Sequence, residues 1–330
     1  MFILDNYFLA VVFCVVTMLC WGSWANTSKI ATERWPFPLF YWDYSLGLLV
    51  AALLYGLTMG SSGSGGRAFV PDLQQAGSDA LLLAFLGGVV FNLSNLLVVA
   101  AMAVAGLAVA FPIGVGLALV IGVILNYVRQ PQGNPLLLFG GVLLVVVAMA
   151  VNAFASARVS KSKGTTPVKG IVLSVAGGVV MGFFYRLVAG GVSLDFIHPE
   201  AGKLTPYSAI LVFSAGVFLS NFLWNTFFMY RPVVGARSDY ADYFRNGTLR
   251  QHLIGLLGGL IFNTGFLFNL IASDKAGPAI SYGLGQGSTM IGAAWGVFMF
   301  KEFKGAPAST IAIMFITFIL GLGMIVVARM

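Results

Sequence analysis

The dominant pattern along the chain is a series of long apolar stretches separated by short polar segments. Each stretch is about 17–25 residues long, which is the length an α-helix needs to cross a bilayer. Gly, Pro, Ser and charged residues fill the connections, as is typical of turns and loops. Ten spans are predicted, at 7–28, 39–60, 80–102, 107–127, 135–155, 169–190, 206–230, 251–273, 277–299 and 307–328. The pattern therefore predicts an all-α membrane protein with ten transmembrane helices.

Composition supports this interpretation. Of the 330 residues, 59% are hydrophobic and 9% are charged, whereas a soluble domain carries about 25% charged residues. The net charge of +7 would suggest nucleic acid for a soluble protein, but here the basic residues are better explained as cytoplasmic anchors. Twelve of the 18 Lys and Arg residues fall on one side of the predicted spans. This bias predicts a multi-pass protein of the cytoplasmic (plasma) membrane with both termini outside.

The two halves of the chain are related. Leu86–Gly116 aligns with Leu257–Gly287 without a gap, and twelve of the aligned positions are identical, including Leu-Gly-Gly-x-x-Phe-Asn. The chain thus divides into a five-helix repeat at 1–157, a basic linker at 158–168 and a second repeat at 169–330. Five is odd, so the second copy enters the membrane from the opposite side. Inverted repeats of this kind allow a central site to open alternately to each side.

Amide side chains inside the spans are candidate ligands for a polar solute. Asn92 and Asn263 are repeat equivalents at mid-membrane, Asn95 lies one turn from Asn92, and Asn221 belongs to a polar stripe in the seventh span. An amide donates and accepts hydrogen bonds, which suits solutes with carbonyl, NH or hydroxyl groups. The alternative is that these amides join neighbouring helices as structural contacts.

Aromatic and polar residues near the glycine-rich spans extend the candidate site. Trp24 and Tyr41 offer flat rings that stack on planar heterocycles or sugar faces. Tyr282 and Gln286 stand among glycines of the ninth span, where small neighbours would let a substrate approach. Most glycines of this span are better explained by close helix packing.

Asp43 is the carboxylate placed clearly inside a predicted span, in the second helix. It is the candidate for proton coupling, because coupling needs a group whose charge changes during transport. The alternative is an interfacial ion pair with Lys29 or Arg34. Neither His198 nor His252 has metal-ligand spacing or an obvious catalytic partner. The sequence therefore predicts neither an enzyme nor a metal site, and no cofactor.

Several short motifs, in the same order along the chain, are similar to those of the ureide permease family. They are Gly22-Ser23-Trp24, Asp43-Tyr44-Ser45, Ser94-Asn95-Leu96, Tyr230-Arg231-Pro232-Val233-Val234-Gly235 and Trp295-Gly296-Val297. The ten-helix inverted repeat also resembles the plan of the drug/metabolite transporter superfamily, which contains this family. Phe111–Gly116 looks more like the related rhamnose and glucose/ribose transporter families.

The resemblance implies a proton-coupled importer of allantoin and related oxo-heterocycles such as uracil and xanthine. Trp24, Asp43 and Asn95 match family motif positions, whereas the long cytosolic segment of plant members is replaced by a short basic stretch at 156–169. We therefore expect a secondary active transporter that moves a ureide or nucleobase by alternating access, with protons. The alternatives are a sugar transporter (ribose, glucose or rhamnose type) or a uniporter of the same fold. The expected partners are the small polar solute, protons and the lipid bilayer, without nucleic acid.

Overall fold

The computed structural model describes residues 1–31, 35–159 and 168–330. Within these ranges the secondary structure is helical, apart from an isolated bridge between Val192 and Leu204. The first half contains α1 (Tyr7–Ala31), α2 (Phe37–Leu57), α3 (Phe69–Gln75), α4 (Ser78–Ala105), α5 (Leu107–Arg129) and α6 (Pro135–Val159). The second half contains α7 (Val168–Gly191), α8 (Pro206–Asn221), α9 (Trp224–Tyr230), α10 (Tyr240–Asn246), α11 (Leu249–Ala276), α12 (Pro278–Gly285), α13 (Ser288–Ala294), a π-helical turn (Trp295–Met299) and α14 (Ala308–Val327).

Nine of the predicted spans coincide with helices that are long and apolar enough to cross a membrane, counting α8 and α9 as one crossing in the described part of the chain. The prediction of several membrane-spanning helices is therefore confirmed. The predicted span at 277–299 differs, because it consists of α12, α13 and the π-helical turn in succession. Most of the predicted linker, residues 160–167, lies outside the described residues.

Local sequence explains where several of these helices begin and end. Pro206 and Pro278 occupy the first turns of α8 and α12, where a missing backbone N–H costs nothing. Gly106 and Gly277 follow α4 and α11 with φ of 79° and 84°, a conformation that favours glycine. A glycine therefore marks the end of each of these two long helices in the sequence.

The helix boundaries keep the register of the sequence repeat. Under the alignment that pairs Leu86 with Leu257, the first and last residues of α4 fall on the first and last residues of α11. The first residues of α5 and α12 are likewise paired by this alignment. The related sequences of the two halves thus form helices with equivalent limits in this region.

Glycines allow two pairs of helices to cross at backbone distance. On α2 and α11, a Cβ added at Gly259 would lie 2.1 Å from the carbonyl oxygen of Tyr44 and 2.8 Å from the Cα of Gly47. On α4 and α8, a Cβ added at Gly88 would lie 2.1 Å from the carbonyl oxygen of Phe213. Small residues at such crossings let dispersion contacts and buried polar groups join helices in lipid.

The helix contacts have a paired arrangement. α4 packs against α7 and α8, and α11 packs against α1 and α2. α5 contacts α7, while α12 and α13 contact α1. Two further contacts, α6 with α14 and α2 with α8, join helices at equivalent places in the two halves. In these contacts, corresponding helices of the two halves have corresponding neighbours, and each neighbour belongs to the other half.

The bundle has two ends. At the terminal face (residues 1–6, 58–77, 192–205 and 328–330), the Tyr7 hydroxyl donates to the Val326 carbonyl at 2.7 Å and the Gly77 N–H donates to the Gly202 carbonyl at 2.8 Å. At the opposite face (the end of α1, the start of α2, residues 231–248 and 300–307), Lys29 Nζ lies 3.0 Å from Glu302 Oε1. Each long helix runs between these ends.

Candidate functional site

An aromatic cluster lies between α1, α2 and α11, and we call it the aromatic site (Trp24, Tyr41, Tyr44 and Phe262). The Trp24 and Tyr44 ring centroids are 4.8 Å apart, and Tyr41 stacks on Tyr44 at 5.0 Å. Phe262 contacts Trp24 edge-on, with the ring centroids 6.0 Å apart. Tyr41 and Tyr44 share a face of α2 because they are three residues apart on a helix. Tyr41 and Tyr44 are fully buried, so in this conformation the rings pack against one another.

Polar atoms within the aromatic site give it directional chemistry. Asn95 of α4 donates from Nδ2 to the Tyr41 hydroxyl at 3.0 Å, which brings two sequence-predicted residues together. The Tyr44 hydroxyl is buried, and no described residue provides it with a hydrogen-bond partner. Since a buried hydroxyl without a partner is costly, Tyr44 is the group of this cluster best placed to bind a polar atom of a solute.

The helix that runs from α12 into α13 is irregular at Gln286, and we call this irregularity the helix break. α12 ends at Gly285 and α13 begins at Ser288, so Gln286 lies at the junction, with 6% of its surface exposed. A Cβ added at Gly285 would lie 3.0 Å from Trp21 Cζ3 on α1, one turn before Trp24. Gln286 and Gly287 keep right-handed helical backbone angles, and their N–H groups donate to the carbonyls of Tyr282 and Leu284, so the helix tightens here without unwinding.

The amides that the sequence predicts at mid-membrane join helices in this conformation. Asn92 Nδ2 donates to the Val217 carbonyl at 3.1 Å and to Asn221 Oδ1 at 3.0 Å, which links α4 to α8. Asn263 Nδ2 donates to the Leu48 carbonyl at 2.7 Å, which links α11 to α2. The repeat-equivalent amides thus make equivalent interhelical bonds. Of the two interpretations of these amides, their donor groups favour helix packing.

Tyr282 lies in a second aromatic group, away from Trp24. Its ring is fully buried 5.0 Å from the ring of Tyr185, and its hydroxyl donates to the Ala118 carbonyl at 3.2 Å. A Cβ added at Gly122 of α5 would lie 2.2 Å from Tyr282 Cε1. The glycines near Tyr282 therefore accommodate its own ring.

Asp43 lies outside the aromatic site, toward the opposite face. Its Oδ2 is 2.8 Å from His252 Nδ1 on α11, and its Oδ1 accepts from the Tyr243 hydroxyl on α10 at 2.6 Å. The predicted ion pair with Lys29 is wrong, because Lys29 reaches Glu302 across the surface. Arg34, the other predicted partner, lies outside the described residues.

Burial and the neighbouring Asp43 carboxylate raise the pKa of Tyr243, so this phenol keeps its proton and acts as a donor at neutral pH. The sequence showed no obvious dyad for either histidine, but the topology brings α10 and α11 to the start of α2 and so places His252 beside Asp43. Sequence spacing carried no signal for this contact, because its partners lie in different halves of the chain. Among the described residues, no group of three His, Cys, Asp or Glu side chains is arranged to hold a metal ion.

Tyr44 was also missed as a candidate from sequence, although it was part of a recognised motif. The signal was present: Tyr44 is three residues from Tyr41 and therefore lies on the same helical face. Phe262 precedes Asn263 in the repeated motif, but an isolated Phe in an apolar span carries no functional signal. Its role as a wall of the aromatic site became visible only in the packing of α11 against α1.

Comparison with known proteins identifies relatives over most of the chain. The family model for ureide permease matches residues 40–163 and 151–329. Ureide permease 4 and Ureide permease 1 of Arabidopsis thaliana are each 25% identical to this chain, covering 95% and 94% of it and 94% and 93% of the relatives. Probable ureide permease A3 of Vigna unguiculata is 34% identical over 43% of this chain and 40% of its own length. A crystal structure of another protein has a TM-score of 0.60 at 16% identity, covering 97% of this chain and 98% of that one, and supports the fold alone.

Proposed function

Because the chain belongs to the ureide permease family, we propose that it carries a ureide such as allantoin, or a nucleobase, across the cytoplasmic membrane. Members of this family are transporters and not enzymes. The observation that carries the proposal for the substrate is the aromatic site, with its stacked tyrosines and the unpaired Tyr44 hydroxyl. Ureides are flat and rich in carbonyl and NH groups, so aromatic walls and a few hydroxyl and amide groups match their chemistry.

The proposed architecture is ten crossings in two inverted five-helix repeats, the plan of the drug/metabolite transporters. The tenth crossing is α12, α13 and the π-helical turn taken together. Three features support it: the shared register of helix bounds, the positive φ at both Gly106 and Gly277, and the paired helix contacts. An inverted repeat can adopt two conformations in which the halves exchange their roles. Exchange between these conformations exposes a central site to each side of the membrane in turn.

We assign substrate binding to Trp24, Tyr41, Tyr44 and Asn95, with Gln286 at the helix break as a further ligand. The rings provide stacking, and the hydroxyl and amide groups bind carbonyl and NH edges. The proposed topology places both termini outside, and the proposed proton-coupling residue is Asp43, which lies near the inner end of the bundle. Asn92, Asn221 and Asn263 keep the two halves together, and Tyr282 packs behind the site.

Counterflow in proteoliposomes tests the function. Vesicles loaded with unlabelled allantoin should accumulate labelled allantoin transiently and saturably, and uracil should compete while ribose, glucose and rhamnose should not. Trp24→Ala should raise the apparent KM about tenfold, which corresponds to a loss of about 1.4 kcal/mol of stacking energy. Tyr127→Ala is the matched control, because this ring contacts Phe139 at 5.3 Å instead. Competition by sugars alone would favour the sugar-transporter alternative and reject the ureide.

A further inference from the structure

Three basic side chains converge on one backbone position, Gly190, where α7 ends beside the terminal face. The Gly190 carbonyl accepts from Lys203 Nζ at 3.0 Å and from Arg129 Nη2 at 3.3 Å. A Cβ added at Gly190 would lie 3.3 Å from Arg186 Nη1 and 3.4 Å from Arg129 Nη1. Both guanidinium groups therefore lie beside the same backbone position. We call Arg129, Arg186 and Lys203 the cation cluster.

Carboxylates do not neutralise the cation cluster. At the same end of the bundle, Arg67 and Lys275 each form an ion pair with an aspartate. In the part of the chain that the structure describes, no carboxylate oxygen lies within 4.0 Å of the charged atoms of the cluster. Glu200 acts on Arg129 from a greater distance, and its Oε1 accepts from the Leu194 N–H at 3.4 Å. The cluster thus concentrates positive charge that has no direct counter-ion.

Helix capping explains only part of this arrangement. Cations are favourable at the carboxyl end of a helix, which accounts for Lys203 and for Nη2 of Arg129. It does not account for Nη1 of Arg129, which is buried and has no hydrogen-bond partner among the described residues. Like charges so close repel each other, and a buried donor without an acceptor is costly. An anion between the two guanidinium groups would remove both costs.

The surroundings of the cation cluster favour a lipid as the source of this anion. Val179, Phe183 and Arg186 share one face of α7, because they are spaced by four and three residues. Val179 and Phe183 are exposed, and so are Ile124 and Val128 in the last two turns of α5. In a bilayer such apolar faces contact acyl chains, whereas basic side chains near the end of a span reach the headgroup layer. The cluster therefore lies at headgroup depth above an apolar surface.

We propose that the cation cluster binds the phosphate group of an anionic phospholipid whose acyl chains lie along α5 and α7. Arg129 Nη1 and the Arg186 guanidinium donate to the phosphate oxygens, a charge-assisted contact for which planar guanidinium groups are well suited. A headgroup with net negative charge fits three cations better than a zwitterionic one, whose ammonium group would meet like charges. This lipid site is separate from the aromatic site and does not depend on the identity of the solute.

Native mass spectrometry of the purified full chain tests the lipid site, with phosphatidylglycerol as the anionic probe and phosphatidylcholine as the zwitterionic one. Arg129→Gln and Arg186→Gln should each lower the affinity for phosphatidylglycerol at least about tenfold and leave that for phosphatidylcholine unchanged. Arg158→Gln is the matched control, because Arg158 is a basic residue at the end of another span, where it lies 4.2 Å from the Phe154 ring centroid. Wild-type affinity for phosphatidylglycerol in Arg186→Gln would overturn the proposal, and so would equal binding of both lipids by the wild type.

Thermal unfolding in detergent distinguishes a lipid ligand from a structural role and from a free anion. Without lipid, Arg186→Gln should unfold at the wild-type temperature or above it, because the substitution relieves repulsion. Phosphatidylglycerol should raise the unfolding temperature of the wild type and of Arg158→Gln, but not that of Arg186→Gln. A lipid-free Arg186→Gln variant that is less stable, yet still stabilised by phosphatidylglycerol, would show a structural role and overturn the proposal. Stabilisation of the wild type by inorganic phosphate equal to that by phosphatidylglycerol would reject the lipid as the ligand.

Discussion

The fourth span of the first half and its counterpart in the second half begin alike and then diverge. α5 and α12 both follow a glycine with positive φ, at equivalent positions of the repeat. α5 then continues for 23 residues, although it contains Pro112. Its counterpart stops at Gly285 and resumes at Ser288. Gln286 stands at this break, where the equivalent residue of α5 is Val115.

This difference distinguishes the residues that pack the helices from the residues of the candidate site. The features that both halves share, namely glycine crossings and interhelical amides, are those that pack helices in lipid. The polar chemistry is distributed unequally: it comprises the Tyr41, Tyr44 and Asn95 groups of the aromatic site, the contact of Asp43 with His252 and the helix break at Gln286. Two halves with related sequences thus carry an asymmetric set of polar groups, which is what the proposed mechanism of alternating access around one polar site requires.

The shared crossings should give the largest effects. Gly88→Ala and Gly259→Ala should each lower the free energy of unfolding by about 2–3 kcal/mol, because the added Cβ meets a backbone carbonyl at 2.1 Å. Gly292→Ala is the control, since no atom lies within 4 Å of its added Cβ. Thermal unfolding in detergent measures the three variants. If Gly88→Ala lowered the unfolding temperature and Gly259→Ala did not, the two crossings would not be equivalent.

The two tyrosine environments should respond in opposite ways. Tyr44→Phe removes a hydroxyl with no described partner, so the ligand-free protein should keep or gain stability while ureide affinity falls about tenfold, or about 1.4 kcal/mol. Tyr185→Phe removes a hydroxyl that lies 2.9 Å from Ser281 Oγ. It should cost about 1 kcal/mol of stability and leave affinity unchanged. Thermal unfolding measures stability, and calorimetry measures ureide affinity. If Tyr44→Phe bound the ureide with wild-type affinity, the Tyr44 hydroxyl would not contact the ureide.

The repeat-equivalent amides should behave as a matched pair. Asn92→Ala and Asn263→Ala each delete an interhelical donor and should each destabilise the fold by about 0.5–2 kcal/mol. Their effects on apparent KM should be small once folded protein is compared at equal amounts. If a binding measurement showed that one of these variants had lost ureide affinity while the other had not, the amide replaced in that variant would be a substrate ligand.

The smallest effect is expected at the helix break. Gln286→Val gives the second half the residue found at the equivalent position of α5, and it should raise the apparent KM about threefold by removing one polar contact. Thermal stability should change little because the backbone break is kept. The reciprocal Val115→Gln is the control, for which uptake kinetics should remain unchanged. A wild-type KM in Gln286→Val would exclude Gln286 from the site and leave the residues of α1, α2, α4 and α11.

Much of the scaffold could be predicted from sequence, because lipid imposes length and apolarity on each span. The span predicted at 80–102 became α4 at Ser78–Ala105, and the register of the repeat reappeared in helix bounds. The candidate site was harder to predict, because the role of each polar side chain depends on which groups surround it in the folded protein. Asn92 and Asn263 look alike as ligands or as packing groups until their partners are known. His252 gave no signal at all, because its contact with Asp43 depends on how α2 and α11 meet.

Direct binding of allantoin to the purified protein tests the central claim, that a ureide binds in the aromatic site. Calorimetry on the wild type, Trp24→Ala and the Tyr127→Ala control compares the site with an aromatic position elsewhere in the bundle. The account predicts saturable binding to the wild type and the control, and an affinity at least about tenfold lower in Trp24→Ala. Unchanged affinity in a folded Trp24→Ala variant would contradict it.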